Sequence, residues 1–146
     1  MKNIWLIDID GTICEDIPNE EAERFVTAKP LDGARERVEA LLEQGGRVVY
    51  FTARRPEHAV ATEKWLDDHG FPRESVIYGK PRIGDGWKYN WIDNKEVEGV
   101  YVPGGLGEYY VERGEHARAE WNGKCALMVW SMMFGLFAWL KYSGMM

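Results

Sequence analysis

Short apolar runs that each end in a polar group, separated by stretches of helical periodicity, constrain this chain more than any other feature. The first run, Ile4 to Ile9, contains Asp8 and is followed at once by Asp10. A second, Val48 to Phe51, ends at Thr52, and a third, "SVIY", is followed by Gly79 and Lys80. Between the first two, Ala34, Val38, Leu41 and Leu42 form a helical stripe that Asp32 can cap and Gly45-Gly46 ends. Between the second and third, Pro56 opens a helix that turns Ala61, Trp65 and Leu66 inward and closes at Gly70 and Pro72. "KYNWID" and "GVYV" add a fourth and a fifth strand, closed by Pro103-Gly104-Gly105. Strands alternating with helices predict an α/β fold, a Rossmann-like parallel sheet of about five strands flanked by helices.

In such sheets ligands bind beyond the carboxyl ends of the strands. Asp8 with Asp10, Thr52, Lys80 and Asp93 fall at those ends or just past them. Two carboxylates with only Ile9 between them raise the cost of ionising each other, so something must compensate. Asp8, Asp10 and Asp93 form an acidic cluster that a bound cation makes tolerable. Mg2+ suits it, being a hard ion that takes oxygen ligands and bridges to phosphate. Thr52 offers a hydroxyl to a phosphate oxygen, and Lys80 offers a positive charge to the same group. The set describes a site that stabilises a transferring phosphoryl group, with a carboxylate as nucleophile.

The segments "DIDGT", "VVYFTAR", "YGKP" and "WIDNK" resemble, in order, the four motifs of the haloacid dehalogenase (HAD) superfamily. The closer resemblance is to small capless members encoded with surface-polysaccharide genes, and it covers residues 1 to 102. It implies a phosphatase acting on a phosphorylated small molecule or a sugar phosphate. Asp8 would be the nucleophile and a Mg2+ ligand. Asp10 would be the acid and base, with its main-chain carbonyl on the metal. Thr52 and Lys80 would bind phosphate, and Asp93 would complete the metal site. Asn94 stands where the family usually has a second acid, and "NKEVE" replaces the usual crossover helix after the fourth strand. Asn94 and Arg54 are candidates for supporting or substrate contacts. His58, His69 and His116 show no ligand spacing. Neither the interval from Asp10 to Thr52 nor that from Thr52 to Lys80 has room for a cap domain, so the site is open or is covered by another subunit.

Composition narrows the alternatives. The 146 residues carry 18 basic and 24 acidic side chains, a net charge of −6, which disfavours a nucleic-acid-gripping protein. A polynucleotide-end phosphatase is therefore the weaker enzyme alternative, and a non-catalytic adaptor on the same fold is the alternative from another class. Cys14 and Cys125 make no disulfide framework or metal spacing, and the N-terminus runs straight into the first strand. Both point to a reduced, cytoplasmic setting. Residues 1–104 read as the HAD-like core and 105–146 as an extension. Within the extension, Cys125 to Leu140 is apolar on every side. All-round apolarity requires burial, and residues 122–142 would find it against the sheet, in a homo-oligomer or at a membrane.

Overall fold

The computed structural model describes residues 2–109. The apolar stretch 125–140, and with it every expectation about sheet packing, self-association or membrane contact of 122–142, lies outside the described residues. Among the described residues no helix is long and apolar enough to cross a membrane.

Three parallel strands make the sheet: β1 (Ile4–Ile7), β2 (Arg47–Phe51) and β3 (Ser75–Ile77), in that spatial order. Leu6 pairs with Val49 and Ile7 with Tyr50, while Phe51 pairs with Ile77, so the carboxyl ends of the three strands finish within one residue of each other. Helices α1 (Ala34–Glu43) and α2 (Ala59–Asp68) carry the chain back between them. A parallel pair needs such a crossover, because the second strand must start where the first one started.

The periodicity that defines each helix also buries it. Ala34, Val38 and Leu41 recur at helical spacing and are fully buried beside Val48 and Tyr50 of β2. In α2, Thr62, Trp65 and Leu66 turn inward, whereas Ala61 is only partly buried. Trp65 stacks on Phe71 at 5.4 Å, and its indole N–H donates to the Ala28 carbonyl at 2.9 Å. That bond matters, since a buried indole N–H without a partner would cost more than its ring gains. The core continues to Leu106, which is buried and whose N–H donates to the Thr12 carbonyl at 2.8 Å.

Two expectations are corrected. Asp32 does not cap α1: the cap position is Gly33, at φ 74°, and no side chain bonds the helix start. The Asp32 backbone is packed against Gly107, so the turn into the helix falls to a residue that tolerates left-handed geometry. The fourth and fifth strands do not form: residues 88–93 and 99–102 run without regular structure, and Trp87, Tyr89, Trp91, Ile92 and Tyr101 are exposed. A further parallel strand would need another crossover after Ile77. The connection to Lys88 instead contains Gly79, Pro81, Gly84 and Gly86, which no helix would absorb.

Cys14 is buried, and burial pushes its thiol well above the ordinary range. Iodoacetamide should therefore leave Cys14 unmodified in the native protein and label it in denaturant, as read by peptide mass mapping. Labelling under native conditions at the rate of a free thiol would show that this part of the core opens.

Candidate active site

The site begins where β1 ends. The Ile9 carbonyl accepts hydrogen bonds from the backbone N–H groups of Thr12 (3.1 Å), Ile13 (2.9 Å) and Cys14 (3.3 Å), winding the chain into a tight loop. Gly11, at φ 76°, makes that turn without strain. Ile9 is fully buried, and because side chains alternate along an extended chain, Asp8 and Asp10 emerge together on the other side.

The tails of β2 and β3 are laced to each other beyond the sheet. Thr52 N–H donates to Ile77, Gly79 N–H to Arg54 and Lys80 N–H to Thr52, each at 2.9 Å. This lacing carries Lys80 over the sheet's end to Asp8, where Nζ lies 2.7 Å from Oδ2. Asp8 also accepts from the Ile9 N–H at 2.9 Å. Burial nevertheless holds the Asp8 carboxyl above the usual carboxylate range, with Lys80 opposing that rise.

Asp10 has a different partner. Arg54 Nε donates to Oδ2 at 2.9 Å and Nη2 to Oδ1 at 2.7 Å, a two-pronged grip on both carboxylate oxygens. The Arg54 side chain is completely buried. Its guanidinium stands 3.9 Å above the centre of the Phe25 ring, and Nη1 donates to Thr62 Oγ1 at 3.3 Å. A guanidinium is the cation best able to be buried this way, being planar, weakly hydrated and matched to a carboxylate. Phe25 arrives on the 3-10 segment Asn19–Thr27, which is tied down where Asn19 Nδ2 donates to the Ala53 carbonyl at 2.8 Å.

The structure thus brings Asp8, Asp10, Thr52, Arg54 and Lys80 together. The Thr52 side chain is buried, and its Oγ1 accepts from the Arg54 N–H at 3.1 Å. Arg54, expected as a supporting or a substrate contact, lies beneath the site and grips Asp10. Asp93 and Asn94 are not brought in. Asp93 is exposed, accepting from Trp91 Nε1 at 3.2 Å and from the Lys95 N–H at 3.1 Å. Those bonds hold its carboxyl below the ordinary value. Asn94 lies in the same exposed turn. Among the described residues no group of three or more acidic, histidine or cysteine side chains could hold a metal ion.

Two acids beyond β1 now face two cations, Asp8 with Lys80 from beyond β3 and Asp10 with Arg54 from beyond β2. A crystallised target protein from Vibrio cholerae has the same fold, with a TM-score of 0.53 at 21% identity over 75% of this chain and 90% of that one. That likeness shows the fold, a parallel α/β sheet joined by helical crossovers. Between Asp10 and Lys80 the described residues form β2, β3, the crossover helices α1 and α2 and short 3-10 turns, with no inserted cap domain.

No family model matches the chain. It is 40% identical over 57 residues to a Bacillus cereus protein named "Putative nucleotidase", a stretch covering 38% of this chain. The match spans only 30% of that relative's length. A D,D-heptose 1,7-bisphosphate phosphatase from B. bronchiseptica, crystallised with magnesium and phosphate, is more distant in structure. Its TM-score is 0.43 at 15% identity, over 58% of this chain and 54% of that one.

Proposed function

We propose that this chain is a phosphomonoester hydrolase working through an aspartyl-phosphate. The carrying observation is the pair of carboxylates at one strand end, each fixed by its own cation: Asp8 by Lys80 and Asp10 by Arg54. A protein that only binds a partner has no physical need to bury an arginine under an aspartate, which speaks against the adaptor reading.

In the proposed reaction an Asp8 oxygen attacks phosphorus, and the bond from phosphorus to the leaving oxygen breaks. Asp10 gives that oxygen its proton. Asp10 then takes a proton from water, which attacks the phosphorus of the aspartyl-phosphate and returns Asp8 and inorganic phosphate. Lys80 stands where it can pass from the Asp8 carboxylate to the incoming phosphoryl oxygens, and the buried Thr52 fixes the β2 tail beneath them. To donate its proton, Asp10 must release one of the two oxygens that Arg54 holds.

Mg2+ enters this proposal through the resemblance. As placed, the residues do not complete a site for it: Asp8 is engaged by Lys80, and Asp93 by Trp91 and Lys95 in an exposed turn. No step above is routed through the ion. The substrate is proposed to be a small phosphorylated molecule. A sugar phosphate follows from the resemblance, and a nucleotide from the name of the Bacillus cereus relative.

The test is turnover of p-nitrophenyl phosphate by the full chain, with Mg2+ and with excess chelator. The expected result is release of inorganic phosphate; loss on chelation with recovery on added Mg2+ would require Asp93 to leave Trp91 and Lys95 and complete a metal site. Turnover insensitive to chelation would remove the metal from the proposal. An absence of turnover on aryl, sugar and nucleoside phosphates alike would refute the hydrolase and leave the adaptor.

A further inference from the structure

Two aromatic rings, Tyr89 and Phe51, stand beside Lys80, a third, Trp91, packs against Phe51, and none takes part in the hydrolysis just described. Lys80 Nζ, 2.7 Å from Asp8, lies 5.0 Å from the centre of the Tyr89 ring and 6.0 Å from that of Phe51. Phe51 meets Trp91 edge to face, with centroids 6.4 Å apart and planes at 76°. Tyr89 is 51% exposed and Trp91 53% exposed, so neither ring is a core residue. Both are nonetheless fixed at their polar ends. The Tyr89 hydroxyl donates to the Pro81 carbonyl, and the Trp91 indole N–H donates to Asp93 Oδ2 at 3.2 Å.

Holding a large ring in one orientation while leaving half of it in water loses side-chain entropy without the full gain of burial. The contacts with Phe51 and Lys80 cover one side of these rings, and a platform waiting for a flat ligand accounts for the half left in water. We propose that Tyr89 and Trp91 form a stacking wall for a nucleobase, making a nucleoside 5′-monophosphate the preferred substrate. This rests on the hydrolase reading and names its substrate class. The order of groups matches: phosphate at Asp8 and Lys80, then Lys80 as the junction, then aromatic faces. A 5′-nucleotide presents phosphate, one ribose and a planar base in the same sequence. A base offers a π-face to stack on the rings, whereas a sugar phosphate offers no such face. The net charge of −6 favours a single nucleotide over a polynucleotide chain. In this arrangement Asp93 steers Trp91.

The decisive comparison is AMP against ribose 5-phosphate, which carry the same phosphate on the same sugar and differ in the base. The parent should show a kcat/KM at least about tenfold higher for AMP, and Trp91→Ala should lower that ratio roughly fivefold or more, as expected for losing one stacking partner. Tyr89→Ala should act in the same direction. A merely structural defect would lower both substrates together and leave the ratio unchanged, which would overturn the proposal, as would a parent that prefers ribose 5-phosphate. Calorimetry separates this from failure of the hydrolase reading. With the non-turning Asp8→Asn full chain, AMP should bind more tightly than ribose 5-phosphate, and adding Trp91→Ala should close the gap. If no phosphomonoester is hydrolysed but that gap is found, the wall stands and the hydrolase falls. Equal affinities overturn the wall whatever the enzyme does.

Discussion

Asp8→Asn is expected to abolish phosphate release, by roughly 10^4-fold or more, while leaving the fold intact. The amide has nearly the shape of the carboxylate but no anionic oxygen with which to attack phosphorus. Its Oδ1 can still accept from the Ile9 N–H, the bond that the carboxylate makes at 2.9 Å, so the loop after β1 keeps its shape. Stability should rise slightly, and the sign follows from the titration of Asp8. Burial raises its folded-state pKa above the ordinary value, so the folded chain binds that proton more tightly than the unfolded chain. Stability linked to this group is full below the ordinary carboxylate pKa and is lost as pH rises through the raised one. Urea melts in chelator should therefore show parent and variant alike in acid, with the variant gaining as pH rises towards neutrality. Wild-type rates in Asp8→Asn would show that the nucleophile lies elsewhere.

The portions of the fold legible in the sequence are those that one period or one turn determines. Ile4–Ile7, Arg47–Phe51 and Ser75–Ile77 formed as strands because helices with a clean apolar stripe separate them and return the chain to the right edge. The expected fourth and fifth strands rest on strand-favouring residues and a closing turn. "KYNWID" is rich in residues that favour strands, but β propensity reports a fit to a half-buried pleated surface, and no crossover carries this segment to one. The same missing crossover leaves Asp93 on an exposed turn, away from Asp8.

The partner of Asp10 was legible in principle. Two adjacent acids at a strand end call for two positive charges, and among side chains the motifs supply only Lys80, with Mg2+ as the other cation. Arg54 stands two residues after Thr52, as Asp10 stands two after Asp8, on the neighbouring strand of a parallel pair. Continued past the strands, the register sets Asp10 level with Ala53, so Arg54 stands one residue further along and its long side chain reaches back. What sequence could not show is the depth of the contact: an arginine opening a helical turn is usually solvated, and only the arrival of Phe25, Thr62 and Cys14 around it makes this one a buried group.

That burial sets the second large effect. Arg54→Met should destabilise the domain by about 3 to 5 kcal/mol, because it leaves Asp10 without its cation in a site only 14% exposed. Asp10→Asn in the Arg54→Met background should recover part of that loss, since the orphaned charge is then gone, and urea melts of the four members of the cycle measure the coupling. Arg54→Lys should restore the charge but not the two-pronged grip, giving an intermediate stability. Activity separates positioning from simple folding. If Arg54 orients Asp10 for proton donation, Arg54→Lys should lose far more rate on an alkyl phosphate, whose leaving oxygen needs a proton, than on 2,4-dinitrophenyl phosphate, whose leaving group departs unaided. Equal losses on both substrates would mean that Arg54 supports the fold alone, and additive stabilities in the cycle would mean that it does not hold Asp10 at all.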